Sequence, residues 1–137
     1  MSGKAFLDTN VLVYAFDRDA GEKAGRARET VRATGTHAVI STQVLLEFYV
    51  TVTRKLVPPI PEAEAASSVD DLCRLEVVET DAALVATAIA RARHDKMSVW
   101  DALIVEAALA AGCDRLLTED LQAGRRFGEM TVENPFA

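Results

Sequence analysis

Cysteine and histidine are nearly absent from this 137-residue chain, with two of each, and the scarcity excludes several chemistries at once. Cys73 and Cys113 lie too far apart for a Cys-x-x-Cys redox or zinc pair. Both sit in or beside apolar segments, where a free thiol behaves as a small hydrophobe, and are expected as reduced core residues. His37 and His94 stand alone, without metal-ligand spacing, so no zinc site is expected. Long apolar runs are also missing: none approaches the roughly 20 residues that span a bilayer. The N-terminus lacks the charged, apolar, then small-residue order of a secretory signal. A cytoplasmic protein without a membrane segment is therefore expected. Repeats and low-complexity tracts are absent as well, and one domain over residues 1–137 is expected, long enough to bury a core without disulfides or a structural metal.

What is present reads as strands alternating with helices. Lys4 to Asp8 is a short buried strand, and Asp8-Thr9-Asn10 turns the chain into a helix over Asn10 to Phe16. A charged, exposed helix is expected over Ala20 to Ala33, then a second strand at His37 to Ile40. Ser41 or Thr42 caps a helix running to about Lys55. The rigid corner Val57-Pro-Pro-Ile-Pro61 opens another helix to about Arg74. Leu75 to Glu79 is a third strand, and Thr80 caps a helix over Asp81 to Arg93. Ser98-Val-Trp-Asp101 has the form of a capping box before an Ala- and Leu-rich helix that stops at Gly112. Arg115 to Thr118 is a fourth strand and Met130 to Glu133 a fifth. The alternation predicts an α/β fold with a central, mainly parallel sheet of four to five strands, flanked by helices on both faces. Two helices are apolar on nearly every side, those around Val44 to Val50 and Ala102 to Ala111. The second fits a buried central helix; the first carries more apolar surface than one domain absorbs, which points to a dimer or a protein partner.

Four carboxylates are expected on one edge of that sheet, because ligands of open parallel sheets bind beyond the carboxyl ends of the strands. Asp8 follows the first strand and Asp120 follows the fourth by two residues. Asp101 occupies the first turn of its helix, where the helix dipole favours an ionised carboxylate. Glu47 is the only charged residue between Val39 and Thr53 and interrupts an apolar helix, so it either faces a wet strip or needs a partner. Each acid also has a plain structural role open to it, Asp8 as a turn or cap residue and Asp101 as half of the capping box. An oxygen-only set without His or Cys suits Mg²⁺ or Mn²⁺. The net charge of −6 runs against a polyanionic substrate, and bound divalent cations would remove much of that excess. Short basic clusters remain for a phosphate backbone: Arg26, Arg28 and Arg32; Arg54 and Lys55; Arg91, Arg93 and Lys96; Arg125 and Arg126.

These motifs, taken in order, resemble the PIN domain ribonucleases, and among them the VapC-type toxins of bacterial toxin-antitoxin pairs. The marks are Phe6-Leu-Asp-Thr-Asn10, Ser41-Thr-Gln-Val-Leu-Leu-Glu47, Ser98-Val-Trp-Asp-Ala-Leu-Ile104, Leu117-Thr-Glu-Asp120 and Asn134-Pro135-Phe136. The resemblance implies a single PIN-like domain, a homodimer, and divalent-metal-dependent cleavage of single-stranded or looped RNA that leaves a 5′-phosphate and a 3′-hydroxyl. It also implies inhibition by a small antitoxin protein. By matched motif, Asp8 and Asp101 would be the main metal ligands and Asp120 would complete or bridge the site. Glu47 would hold a second metal or orient the attacking water. Asn10 and Thr118 would support the carboxylates or contact phosphate, and Ser98 would cap the helix presenting Asp101. Glu106 is open between groove and solvent, and Glu119 is expected in solvent. Two rivals share the fold: a housekeeping RNA-processing nuclease, and a catalytically silent scaffold that binds a protein partner. An aspartyl-phosphate phosphatase would need a second Asp two residues after Asp8, where this chain has Asn10.

Overall fold

A computed structural model describes residues 2–137. The buried run Ala5–Leu7 forms β1 at the middle of a six-stranded sheet ordered β3-β2-β1-β4-β6-β5. Its companions are β2 (Ala38–Ser41), β3 (Glu76–Val78), β4 (Arg115–Leu117), β5 (Arg126–Phe127) and β6 (Met130–Glu133). Every pairing is parallel except that of β5 with β6. The sixth strand, unanticipated from sequence, is the two-residue β5, which folds back on β6 as an antiparallel edge and is too short to show a two-residue alternation.

Six helices flank the sheet: α1 (Thr9–Phe16), α2 (Glu22–Thr34), α3 (Thr42–Arg54), α4 (Glu62–Leu72), α5 (Ala82–Asp95) and α6 (Val99–Ala110). They form two groups, α1 packing on α2 and α3 with α3 on α4, and α5 packing on α6. Helix α6 is the central buried helix, with Ala102 to Val105, Ala107 and Ala108 all buried. Gly112, with φ 75°, follows its C-cap, and the Cys113 N–H returns to the Ala108 carbonyl. That is the left-handed C-terminal turn glycine permits at little cost. No described helix is long and apolar enough to cross a membrane.

Several local expectations shift. Cys113 is buried, but Cys73 is exposed, because it lies past the last turn of α4 at the C-cap. Asp81, not Thr80, caps α5 by accepting from the Leu84 N–H; Thr80 instead bonds Thr42 Oγ1 through its own N–H and hydroxyl. Helix α3 does leave apolar surface uncovered, with Leu46 69% and Val50 42% exposed. Lys96 ends α5 at φ 54°, a left-handed conformation that costs a side-chain-bearing residue about 1 kcal/mol. Lys96→Gly is expected to raise stability by about 0.5–1 kcal/mol, read as an upward shift of the urea midpoint with unchanged slope.

Candidate active site

Strand β1 leads by its order of connection to β2 and β3 on one side, and the chain later returns to place β4 on the other. The gap between β1 and β4 is thus the topological switch point of the sheet, where a crevice opens beyond the strand ends. Asp8 and Thr118 are the residues that follow these two strands, and each is buried. The Asp8 N–H donates to the Leu117 carbonyl at 3.1 Å, which fixes the register of the two strand ends. The Asp8 carboxylate then caps α1: one oxygen accepts from the Thr9 N–H at 2.7 Å and the other from Thr118 Oγ1 at 2.8 Å.

The Thr118 hydroxyl is fully used. It donates to Asp8 and accepts from Asn10 Nδ2 at 3.2 Å and from the Asp120 N–H at 3.0 Å, which exhausts the capacity of one hydroxyl. Asn10 Nδ2 also donates to the Asp120 carboxylate at 3.1 Å, and Thr9 Oγ1 donates to Glu47 Oε1 at 3.0 Å. Asp8, Asp120 and Glu47 are thereby tied into one polar assembly through Thr9, Asn10 and Thr118. Burial is the main cause that pushes the Asp8 pKa up to about 6, and the nearby Asp120 and Glu47 charges add to it against the lowering effect of its two hydrogen bonds. Glu47 is exposed, so its helix does present a wet strip there, and that strip faces Thr9.

Asp101 stands apart from this assembly, in the first turn of α6. Ser98 Oγ accepts from the Asp101 N–H at 3.0 Å, while the Asp101 carboxylate returns no hydrogen bond to the cap and stays free at the positive end of α6. The first turn of α6 is fastened to α3 by Gln43 Nε2, which donates to the Trp100 carbonyl at 3.3 Å. No hydrogen bond links Asp101 to the other three acids. Among the described residues, no three carboxylate, imidazole or thiol side chains converge closely enough to hold an ion together. Nor does any lysine or arginine pair with Asp8, Glu47, Asp101 or Asp120 among them. Asn10 Oδ1, at the centre of this assembly, is buried without a hydrogen-bond partner.

The PIN domain family model matches residues 5–127, which takes in every strand from β1 to β5 and all four acids. The chain belongs to the PIN domain family. Solved structures show the same fold as this PIN domain. A toxin-antitoxin complex from Klebsiella pneumoniae aligns with a TM-score of 0.73 at 18% identity, covering 96% of this chain and 98% of that one. VapC20 of Mycobacterium tuberculosis, a toxin that cleaves the sarcin-ricin loop, aligns at 0.67 and 18% identity, covering 82% and 87%. A DNA-bound VapBC from Salmonella typhimurium aligns at 0.66 and 22% identity, covering 96% and 98%. No curated protein matches this PIN domain by sequence.

The structure corrects one reading of the acids and resolves another. Glu119 is not solvated: it accepts from Tyr14 OH at 2.6 Å and pairs with Lys23 at 2.9 Å, and these contacts hold its carboxyl below the ordinary range against a raising effect of burial. Lys23 and Phe136 close over Tyr14, anchoring the segment that carries Asp120. Glu106 faces neither groove nor open solvent but pairs with Arg91. The roles of Thr9 and Gln43 escaped sequence reasoning, although both stand inside the motifs quoted above. The basic clusters are in part spent on structure, with Arg26 on the carbonyls of Phe136 and Ala137, Arg28 on that of Ala15, Arg32 on Glu29, Arg91 on Glu106 and Asp95, and Arg125 on Asp95.

A cavity of about 330 Å³ lies away from the four acids, between the end of α1 and the Leu56 to Pro61 corner. Chemistry, not size, singles out a second groove of about 280 Å³ that includes Glu47 in its wall.

Proposed function

We propose that this PIN domain is a divalent-metal-dependent endoribonuclease and the toxin of a toxin-antitoxin pair, with Asp8, Asp101 and Asp120 holding Mg²⁺ or Mn²⁺ and Glu47 completing the catalytic set. One observation carries the reading: a buried carboxylate, Asp8, stands at the switch point beside Asp120 and Glu47 with no protein cation to balance it. An uncompensated group of this kind is costly unless an external cation joins it. The chemistry of the donor set suits such a cation, since every candidate ligand is oxygen and the orphaned Asn10 Oδ1 is a further oxygen aimed at no protein donor, and the cation would draw together carboxylates that do not converge without it.

When bound, the cation supplies electrostatic stabilisation of the phosphoryl group and lowers the pKa of water. The chain's own residues do the positioning. Thr118 and the Thr9 N–H fix both oxygens of Asp8, and Asn10 steadies the Asp120 carboxylate. Ser98 sets the α6 terminus that presents Asp101. Glu47, held by Thr9, would accept a proton from the attacking water as the P–O3′ bond breaks, and a solvent water would protonate the departing O3′, leaving a 5′-phosphate and a 3′-hydroxyl. Asn10 and Thr118 act as supports. A cytoplasmic location suits an RNA substrate. The toxin role is supported by the shared fold with toxin-antitoxin complexes, and the uncovered apolar face of α3 suits a homodimer or an antitoxin.

Purified protein incubated with total RNA is expected to yield 5′-phosphate ends with Mg²⁺ or Mn²⁺ and none with EDTA. Absence of any metal-dependent product overturns the enzymatic reading. A short upstream reading frame for a DNA-binding partner, whose co-expression relieves growth arrest, separates toxin from housekeeping nuclease.

A further inference from the structure

The groove beside Glu47 has features that the carboxylates do not use. It lies between the N-terminal turns of α3 and α6, and its wall is the indole of Trp100, the single tryptophan of the chain, which is 65% exposed. Leu103 and Leu46 also line it, Leu46 being 69% exposed. Gln43 sits between them with a divided amide: Nε2 donates to the Trp100 carbonyl, while Oε1 is buried and has no partner. Turning the amide over would set two oxygens against each other, so the carbonyl fixes Oε1 as a free acceptor. A buried acceptor left unpaired costs about 1–3 kcal/mol, which a ligand donor recovers on binding.

We propose that this groove is a nucleobase subsite, in which an unpaired base of single-stranded RNA stacks on Trp100 and, as the side chains covering Gln43 part to admit it, donates an N–H to Gln43 Oε1. The proposal rests on the ribonuclease reading of the adjoining acids. Every RNA base has a flat π face and at least one edge donor of its own, an exocyclic amine or a ring N–H, and stacking is how unpaired RNA is commonly gripped. Glu47 lines both the groove and the carboxylate assembly, so a base held here has its own phosphodiester beside the acids. A duplex, whose bases are already stacked and paired, is excluded. Trp100 and Gln43 would thus choose which phosphodiester is presented.

Because Trp100 is the sole tryptophan, its fluorescence reports occupancy directly. Nucleoside 5′-monophosphates, which contain no scissile bond, are expected to quench it saturably, and single-stranded oligoribonucleotide to quench it more strongly than the matching duplex. Trp100→Ala is expected to raise KM for single-stranded RNA about tenfold, the value of one stacked base, with kcat changed less than twofold and Trp100→Phe restoring most of the loss. Gln43→Leu is expected to alter the relative rates of cleavage at different bases. Cleavage without nucleotide quenching, or an unchanged KM in Trp100→Ala, overturns the subsite alone. Fluorescence that follows protein concentration and ignores nucleotide assigns the groove to a second copy of the chain and also overturns it. Quenching without cleavage of any RNA overturns the nuclease reading and leaves base binding standing.

Discussion

Asp8→Asn is expected to lower metal-dependent RNA cleavage by about a thousandfold or more while making the stability of the metal-free protein less sensitive to rising pH below neutrality. The first effect follows from removing a ligand whose cation provides several kcal/mol of charge stabilisation in the transition state, at about 1.4 kcal/mol per tenfold. The second follows from linkage. The Asp8 pKa stands at about 6 in the folded protein against an ordinary 3.8. A folded value above the unfolded one means that the stability contribution is fully present below about pH 4 and is lost as pH rises through about 6. In EDTA the wild type should therefore lose up to about 3 kcal/mol between pH 4 and pH 7 from this one group. The variant carries no charge there and should show a flatter profile, measured by urea unfolding across that range. Added Mg²⁺ should stabilise the wild type at pH 8 and not the variant. A variant that cleaves at the wild-type rate would remove Asp8 from the site.

Thr118→Val is expected to destabilise the protein by about 3 kcal/mol or more, although the two side chains have nearly the same volume. Thr118 is fully buried and its one hydroxyl serves three partners. Valine leaves a buried Asp8 oxygen, a part-buried donor of Asn10 and the part-buried Asp120 N–H without that partner, and a buried unsatisfied group costs about 1–3 kcal/mol, the part-buried ones less. Asp8 and Asp120 lose their common tether at the same time, so cleavage should fall with stability. Thr118→Ser keeps the hydroxyl and should retain most of both, which separates the hydrogen bonds from the packing of the methyl group. Equal urea midpoints for Thr118→Val and wild type would show that the hydroxyl holds nothing together.

The parallel sheet and its helices were legible in the sequence because their signals are local: an apolar triplet before Asp8, Ser98 three residues ahead of Asp101, Gly112 beyond the last turn of α6. Asp8 and Thr118 were readable for the same reason, since each follows a strand. What could not be read was partnership across the chain. Nothing near Glu119 announces Tyr14 and Lys23, which lie 105 and 96 residues away. Glu106 likewise finds Arg91 only when α5 and α6 pack. The exposure of Glu47 depends on which strip of α3 the fold leaves wet, and an almost wholly apolar helix does not reveal that. Cys73 shows the reverse error, an apolar neighbourhood in sequence that ends in a helix terminus open to water.

The bond from Thr118 to Asp8 closes a span of 110 residues. A chain whose first three strands have formed still lacks Thr118, Asp120 and the edge against which Asp8 is oriented. Such a chain holds only one half of the polar assembly around Asp8. If the assembly is the proposed ribonuclease site, a polypeptide that ends short of residue 118 would carry none of that activity.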